Sequence, residues 1–70
     1  MSHNKRFRVC KFVIDHREPF SLEEIIAEAE KKFGKGIGIE RLVREEVDVA
    51  FEAGVLEYTD DGKFIVREFV

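Results

Sequence analysis

The sequence predicts a mainly helical α+β fold, a bundle of three helices closed by a C-terminal β-hairpin. Apolar residues recur at three-and-four spacing in three separate stretches. A capping box opens the second stretch, and after Gly54 the apolar period changes from helical to two.

In the first stretch Phe7, Val9, Cys10, Phe12, Val13 and His16 fall at helical intervals and predict a helix over about 5–16. The β-branched Val13 and Ile14 leave a strand as the alternative. Arg17-Glu18-Pro19 ends the element, because the residue before a proline is pushed out of the α region. The second helix, about 22–33, has Ser21 as N-cap, Glu24 as its capping-box partner and Glu23 in the first turn. Leu22, Ile25, Ile26, Ala29 and Phe33 form its apolar face, Lys31 and Lys32 close its last turn, and Gly34 suits the left-handed position beyond. A link of alternating glycines, Gly34 to Gly38, leads to a third helix over about 39–53, with Ile39, Leu42, Val43, Val47, Ala50, Phe51 and Ala53 at helical spacing. A hairpin over about 55–69 follows: Val55 to Tyr58 as one strand, Thr59-Asp60-Asp61-Gly62 as the turn, and Lys63 to Phe69 as the return.

Seventy residues make one domain, 1–70, and a domain this small hides only about 60% of the surface its unfolded chain exposes. With Cys10 as the only cysteine no internal disulfide can form, so stability rests on apolar packing or on association with another chain. Packing of the three stripes is expected to bury Val13, Ile25, Ala29, Leu42, Val47, Ala50 and Phe51, with Leu56 and Ile65 of the hairpin covering an open side. No apolar run is long enough for a membrane span, and the first residues lack the apolar stretch of a secretory signal, so a soluble, cytoplasmic protein is expected. The chain has no Gln and one Asn but abundant Lys, Arg and Glu, a balance that suits work at high temperature. The net charge of −3 is unevenly distributed. Residues 1–17 carry Lys5, Arg6, Arg8, Lys11 and Arg17 against Asp15, a net of +4. Residues 40–61 carry Arg41 and Arg44 against Glu40, Glu45, Glu46, Asp48, Glu52, Glu57, Asp60 and Asp61, a net of −6.

Three segments carry a family resemblance: Val9-Cys10-Lys11-Phe12-Val13-Ile14-Asp15-His16, Pro19-Phe20-Ser21-Leu22-Glu23-Glu24-Ile25, and Val47 through Ala50-Phe51-Glu52-Ala53-Gly54-Val55-Leu56-Glu57-Tyr58. In this order they resemble the first helix, the start of the second, and the junction of third helix and wing in the winged helix-turn-helix superfamily. The resemblance spans nearly the whole chain and implies a small DNA-binding regulator with double-stranded DNA as its partner and no cofactor. It places the third helix in the major groove, with Arg41, Arg44, Glu45 and Asp48 facing the bases. Lys31, Lys32 and Lys35 ahead of that helix, and Lys63 on the wing, are the matching phosphate contacts. Members of the superfamily also serve as protein-interaction modules, the alternative here, with the acidic third helix or the C-terminal strand as the docking element.

Against DNA stands the charge of the third helix, which brings five carboxylates for two guanidiniums. The plainer reading of those residues is a solvated face with i,i+4 pairs, Arg41 with Glu45 and Arg44 with Asp48. The basic N-terminal segment has three readings: a DNA arm, a partner for the acidic third helix of a second copy, or a solvated surface. Phe64, Ile65 and Val66 put apolar groups on both faces of the last strand and Phe69-Val70 extend them. With Phe7 they predict a homodimer interface formed by Phe7, Phe64, Val66, Phe69 and Val70. Chemistry-bearing motifs are weak. The Gly34–Gly38 link lacks the Gly-Lys-Ser/Thr ending of a nucleotide loop, Cys10 and His16 face different directions and make no metal pair, and Asp60-Asp61 reads as a turn. Cys10 is expected to be a buried small hydrophobe. No acid and base pair stands out among the many glutamates, so neither a catalytic nor a metal site is expected, and a hydrolytic or nucleotide-binding domain ranks last.

Overall fold

The computed structural model describes residues 2–67, with side chains described from Arg6 onward except that of Ile37. Its elements are α1 (Ser2–Ile14), α2 (Leu22–Phe33), α3 (Ile37–Glu52), β1 (Leu56–Tyr58) and β2 (Phe64–Val66). Residues 5–14 are helical as the spacing predicts, and the strand alternative falls away. The chain leaves α1 at Asp15, two residues sooner than the apolar pattern suggests, with His16 already serving as a connector. Its Nδ1 donates to the carbonyl oxygen of Phe12 at 2.9 Å while Nε2 lies 3.3 Å from Glu28 Oε1.

The capping box is present in full: Glu24 N–H donates to Ser21 Oγ at 3.1 Å and Ser21 N–H to Glu24 Oε1 at 3.0 Å. It removes two orphan donors from the start of α2. At the other end Gly34 takes φ +96°, which only glycine tolerates readily, and its N–H reaches the carbonyl oxygen of Glu30 at 2.9 Å. The helix α3 starts two residues earlier than the expected 39, at Ile37, so Gly38 lies inside it.

The hairpin pairs Leu56 with Val66, Glu57 with Ile65 and Tyr58 with Phe64. Its turn closes through Thr59, whose N–H donates to Lys63 O at 2.8 Å and whose Oγ1 accepts from Lys63 N–H at 3.0 Å, with Gly62 at φ +81°. The register corrects one expectation. Leu56 and Val66 share the inward face, together with Tyr58 and Phe64, so Phe64 and Val66 pack on the core and Ile65 sits on the other face opposite Glu57.

The fully enclosed interior comprises Val9, Val13, Phe20, Ile25, Ile26, Ala29, Ile39, Val43, Val47, Ala50 and Leu56. Phe51, expected inside, is 38% exposed at the edge of the α3 stripe, and Leu42 is only partly covered. Phe20, absent from the expected set, is 2% exposed and exchanges two hydrogen bonds with Phe64, at 2.9 and 2.7 Å. The segment between α1 and α2 thus adds a one-residue third strand to the hairpin. The sequence does carry a signal for it: Phe20 occupies the position before the N-cap, and a hydrophobe there packs on the fourth helical residue, here Ile25.

Phe20→Ala is expected to cost about 3–5 kcal/mol in denaturant unfolding, enough to consume much of the stability of so small a domain. Ser21→Ala is expected to cost about 1 kcal/mol. Hydrogen bonds from Ser21, first through its backbone and then its hydroxyl, and next the charge of Lys63, hold the Glu24 carboxyl below its ordinary 4.5. A carboxylate stabilised this way adds stability above that value and loses it as pH falls beneath it. Glu24→Gln should therefore flatten the acid limb of a urea-midpoint profile below about pH 4.5 and lower the midpoint at pH 7.

Candidate interaction surfaces

Arg41, Arg44, Glu45 and Asp48 follow one another at i, i+3, i+4 and i+7 and share the outward face of α3, all exposed. Arg41 Nε lies 3.7 Å from Glu45 Oε1, the expected pair. Arg44 turns back instead of forward: its Nε reaches Glu40 Oε2 at 3.2 Å, not Asp48. The order of charges explains the choice, since a carboxylate four residues N-terminal to the cation is the favoured orientation on a helix. Asp48 and Glu52 have no cation partner among the described residues.

The basic N-terminal segment meets the acidic helix within one chain. Arg6 places Nε 2.8 Å from Glu46 Oε1 and Nη2 3.4 Å from Glu45 Oε2. Glu46 is only 7% exposed and is the one charged side chain in the buried set, so this contact supplies a charge partner for a group that burial penalises. Beside it, Cys10 is half-buried, not the enclosed hydrophobe expected. Burial pushes its thiol up, a hydrogen bond to Glu46 and the charge of that carboxylate push it further, and Arg6 opposes them. A thiol so placed is a poor nucleophile at neutral pH.

Among the described residues, two grooves flank this frame. The larger, about 390 Å³, lies between α3, the first turn of α2 and the hairpin. Leu22, Val47, Phe51, Tyr58 and Phe64 line it, with Arg44, Glu45 and Asp48 on its border. Tyr58, 62% exposed, stacks on Phe64 with ring centroids 4.8 Å apart and lies as close to Phe51. The smaller, about 210 Å³, lies between α1 and α2 and is lined by Arg8, Lys11, Phe12, Asp15, Lys32 and Phe33. The Arg8 guanidinium stands 5.8 Å from the Phe33 ring centre, and Lys32 Nζ lies 5.4 Å from that of Phe12 and 5.8 Å from that of Phe33.

Of the residues singled out for phosphate contact, Lys63 lies apart from the other three. Lys32 belongs to the α1–α2 groove, Lys31 and Lys35 are exposed beside it in the chain, and Lys63 is drawn to Glu24 at 3.4 Å. Of the residues expected at a homodimer interface, Phe7 is 69% exposed, Phe64 and Val66 pack on their own core, and Phe69 and Val70 lie outside the described residues. Among the described residues no cluster of three His, Cys, Asp or Glu is placed to hold a metal, and no helix is long and apolar enough to cross a membrane.

Arg6→Ala strands the Glu46 carboxylate and is expected to cost about 1–2 kcal/mol, the lower part of the range for a buried charge losing its partner, because Arg6 is itself more than half exposed. Adding Glu46→Gln to that variant should restore part of the loss in thermal unfolding. A double mutant no more stable than Arg6→Ala alone would show that the pair carries no such weight.

Comparison with known proteins returns no matching family, no similar curated protein and no matching solved structure.

Proposed function

We propose that the chain is a winged-helix interaction module that docks a protein segment in the groove between α3 and the hairpin. Three helices closed by an antiparallel hairpin support the winged-helix reading, with α3 in the place of the reading helix and the hairpin as the wing. The carrying observation is that the outward arginines of α3 are neutralised by Glu40 and Glu45 while aromatic surface stays open beside them. A helix that reads DNA needs those guanidiniums for bases and phosphates, and withdrawing them from their carboxylates next to a polyanion is unfavourable. An apolar anchor from a protein meets the opposite situation.

The groove volume falls within the roughly 300–1,000 Å³ of binding pockets, room for one or two apolar side chains. Asp48, which has no cation partner among the described residues, stands on its border and favours a basic residue beside that anchor. The occupant is therefore a partner segment with an apolar anchor beside a lysine or arginine.

A short synthetic peptide with two leucines flanked by lysines, titrated into the isotope-labelled chain, is expected to shift the amides of Leu22, Val47, Asp48, Phe51 and Tyr58. Phe51→Ser or Tyr58→Ser should weaken binding about tenfold, the loss of one anchor contact. Equal binding of a peptide with glutamates in place of the lysines, or shifts confined to other elements, contradicts the reading. Duplex DNA binding abolished by Arg41→Ala with Arg44→Ala would restore the regulator that reads DNA through α3.

A further inference from the structure

We propose that the outer face shared by α1 and α3 binds a second copy of the chain, with α1 of each copy lying on α3 of the other. This inference does not depend on the docking groove.

Its basis is where the exposed apolar side chains fall. Among the described residues Phe7, Ile14, Val49, Phe51 and Tyr58 are the large apolar side chains left open to water. Phe51 and Tyr58 line the docking groove, whereas Phe7, Ile14 and Val49 line neither groove. Those three gather around one contact between helices, where Cys10 and Arg6 of α1 meet Glu46 of α3. Phe7 and Ile14 stand one turn before and one turn after Cys10, and Val49 stands one turn after Glu46. Leu42, one turn before Glu46, is only partly covered by the core. Apolar groups gathered on one face mark an interaction site, whereas scattered ones do not. The last strand does not compete for this role, because Phe64 and Val66 face inward.

The charges on this face say what covers it. On α1, Phe7, Lys11 and Ile14 follow at i, i+4 and i+7, a cation between two apolar residues. On α3, Glu45, Val49 and Glu52 repeat that spacing with the chemistry reversed, an apolar residue between two carboxylates. Laid together, the apolar groups meet and the ammonium lies among carboxylates. Glu52 has no cation partner among the described residues, and Lys11 is tied only to the exposed Asp15 one turn on. Both halves of this match belong to one chain, so a two-fold axis along the seam of α1 and α3 satisfies each of them twice. A foreign partner would have to present a basic and an acidic apolar stripe side by side. A second copy carries both in that arrangement.

The test is sedimentation of the full chain over rising concentration, which is expected to show a monomer passing to a dimer. On dilution the amide signals of Phe7, Cys10, Ile14 and Val49 should move while those of the hairpin stay. Phe7→Glu or Val49→Glu should weaken the dimer about tenfold or more, since each change enters the interface twice. Both side chains are exposed, so thermal unfolding of the dilute variants should match that of the parent chain. Charge exchange separates this pairing from any other. Lys11→Glu and Glu52→Lys should each weaken the dimer about tenfold, through two lost attractions and two new repulsions, and the variant carrying both changes should return to within about threefold of the parent. The proposal is overturned if the chain is still a monomer at about 1 mM, if Phe7→Glu and Val49→Glu both dimerise as the parent does, or if the doubly exchanged variant associates no better than the single ones.

Discussion

One residue, Phe20, joins the two halves of this fold. Its ring is enclosed and its backbone exchanges two hydrogen bonds with Phe64, adding a polar tie to the apolar contact that Leu56, Phe64 and Val66 make with the bundle. A two-stranded hairpin alone is marginal in water, and so is a short amphipathic helix. Here each covers what the other leaves open. The same ring continues a row of aromatic contacts, Phe33 to Phe12, His16, Phe20, Phe64 and Tyr58, with neighbouring centroids 4.8 to 6.0 Å apart. The row runs from the groove between α1 and α2 to the groove beside α3, which places both candidate surfaces on one packed frame.

Arg6 decides the electrostatics. By turning its guanidinium onto Glu45 and Glu46 it satisfies a buried carboxylate and ties α1 to α3. The charge asymmetry that would draw two copies together is partly spent inside one chain. Among the described residues Asp48 and Glu52 of α3 keep no cation partner, and Arg8, Arg17, Lys31, Lys32 and Lys35 keep no carboxylate.

Several features were legible because they depend on neighbours in sequence. The capping box at Ser21 and Glu24, the glycine at the end of α2 and the turn at Gly62 each follow from local backbone chemistry and were found where expected. The Arg41–Glu45 pair was legible for the same reason. The choice of Arg44 between Glu40 and Asp48 lay within the helix too, and the preferred order of charges would have settled it. Phe51 and Ile65 were misplaced because spacing marks an apolar residue without saying whether a neighbouring element reaches it.

The sequence by itself determined three helical stripes, their terminators and a hairpin, since helix and strand periods are properties of the local chain. Only the tertiary structure decided that Phe20 seals the interior, that Phe64 and Val66 face inward, that Arg6 meets Glu46 and that Arg8 and Lys32 gather over two rings. Each of those depends on which faces meet after the chain has folded back, at separations that no local rule of spacing or propensity reaches.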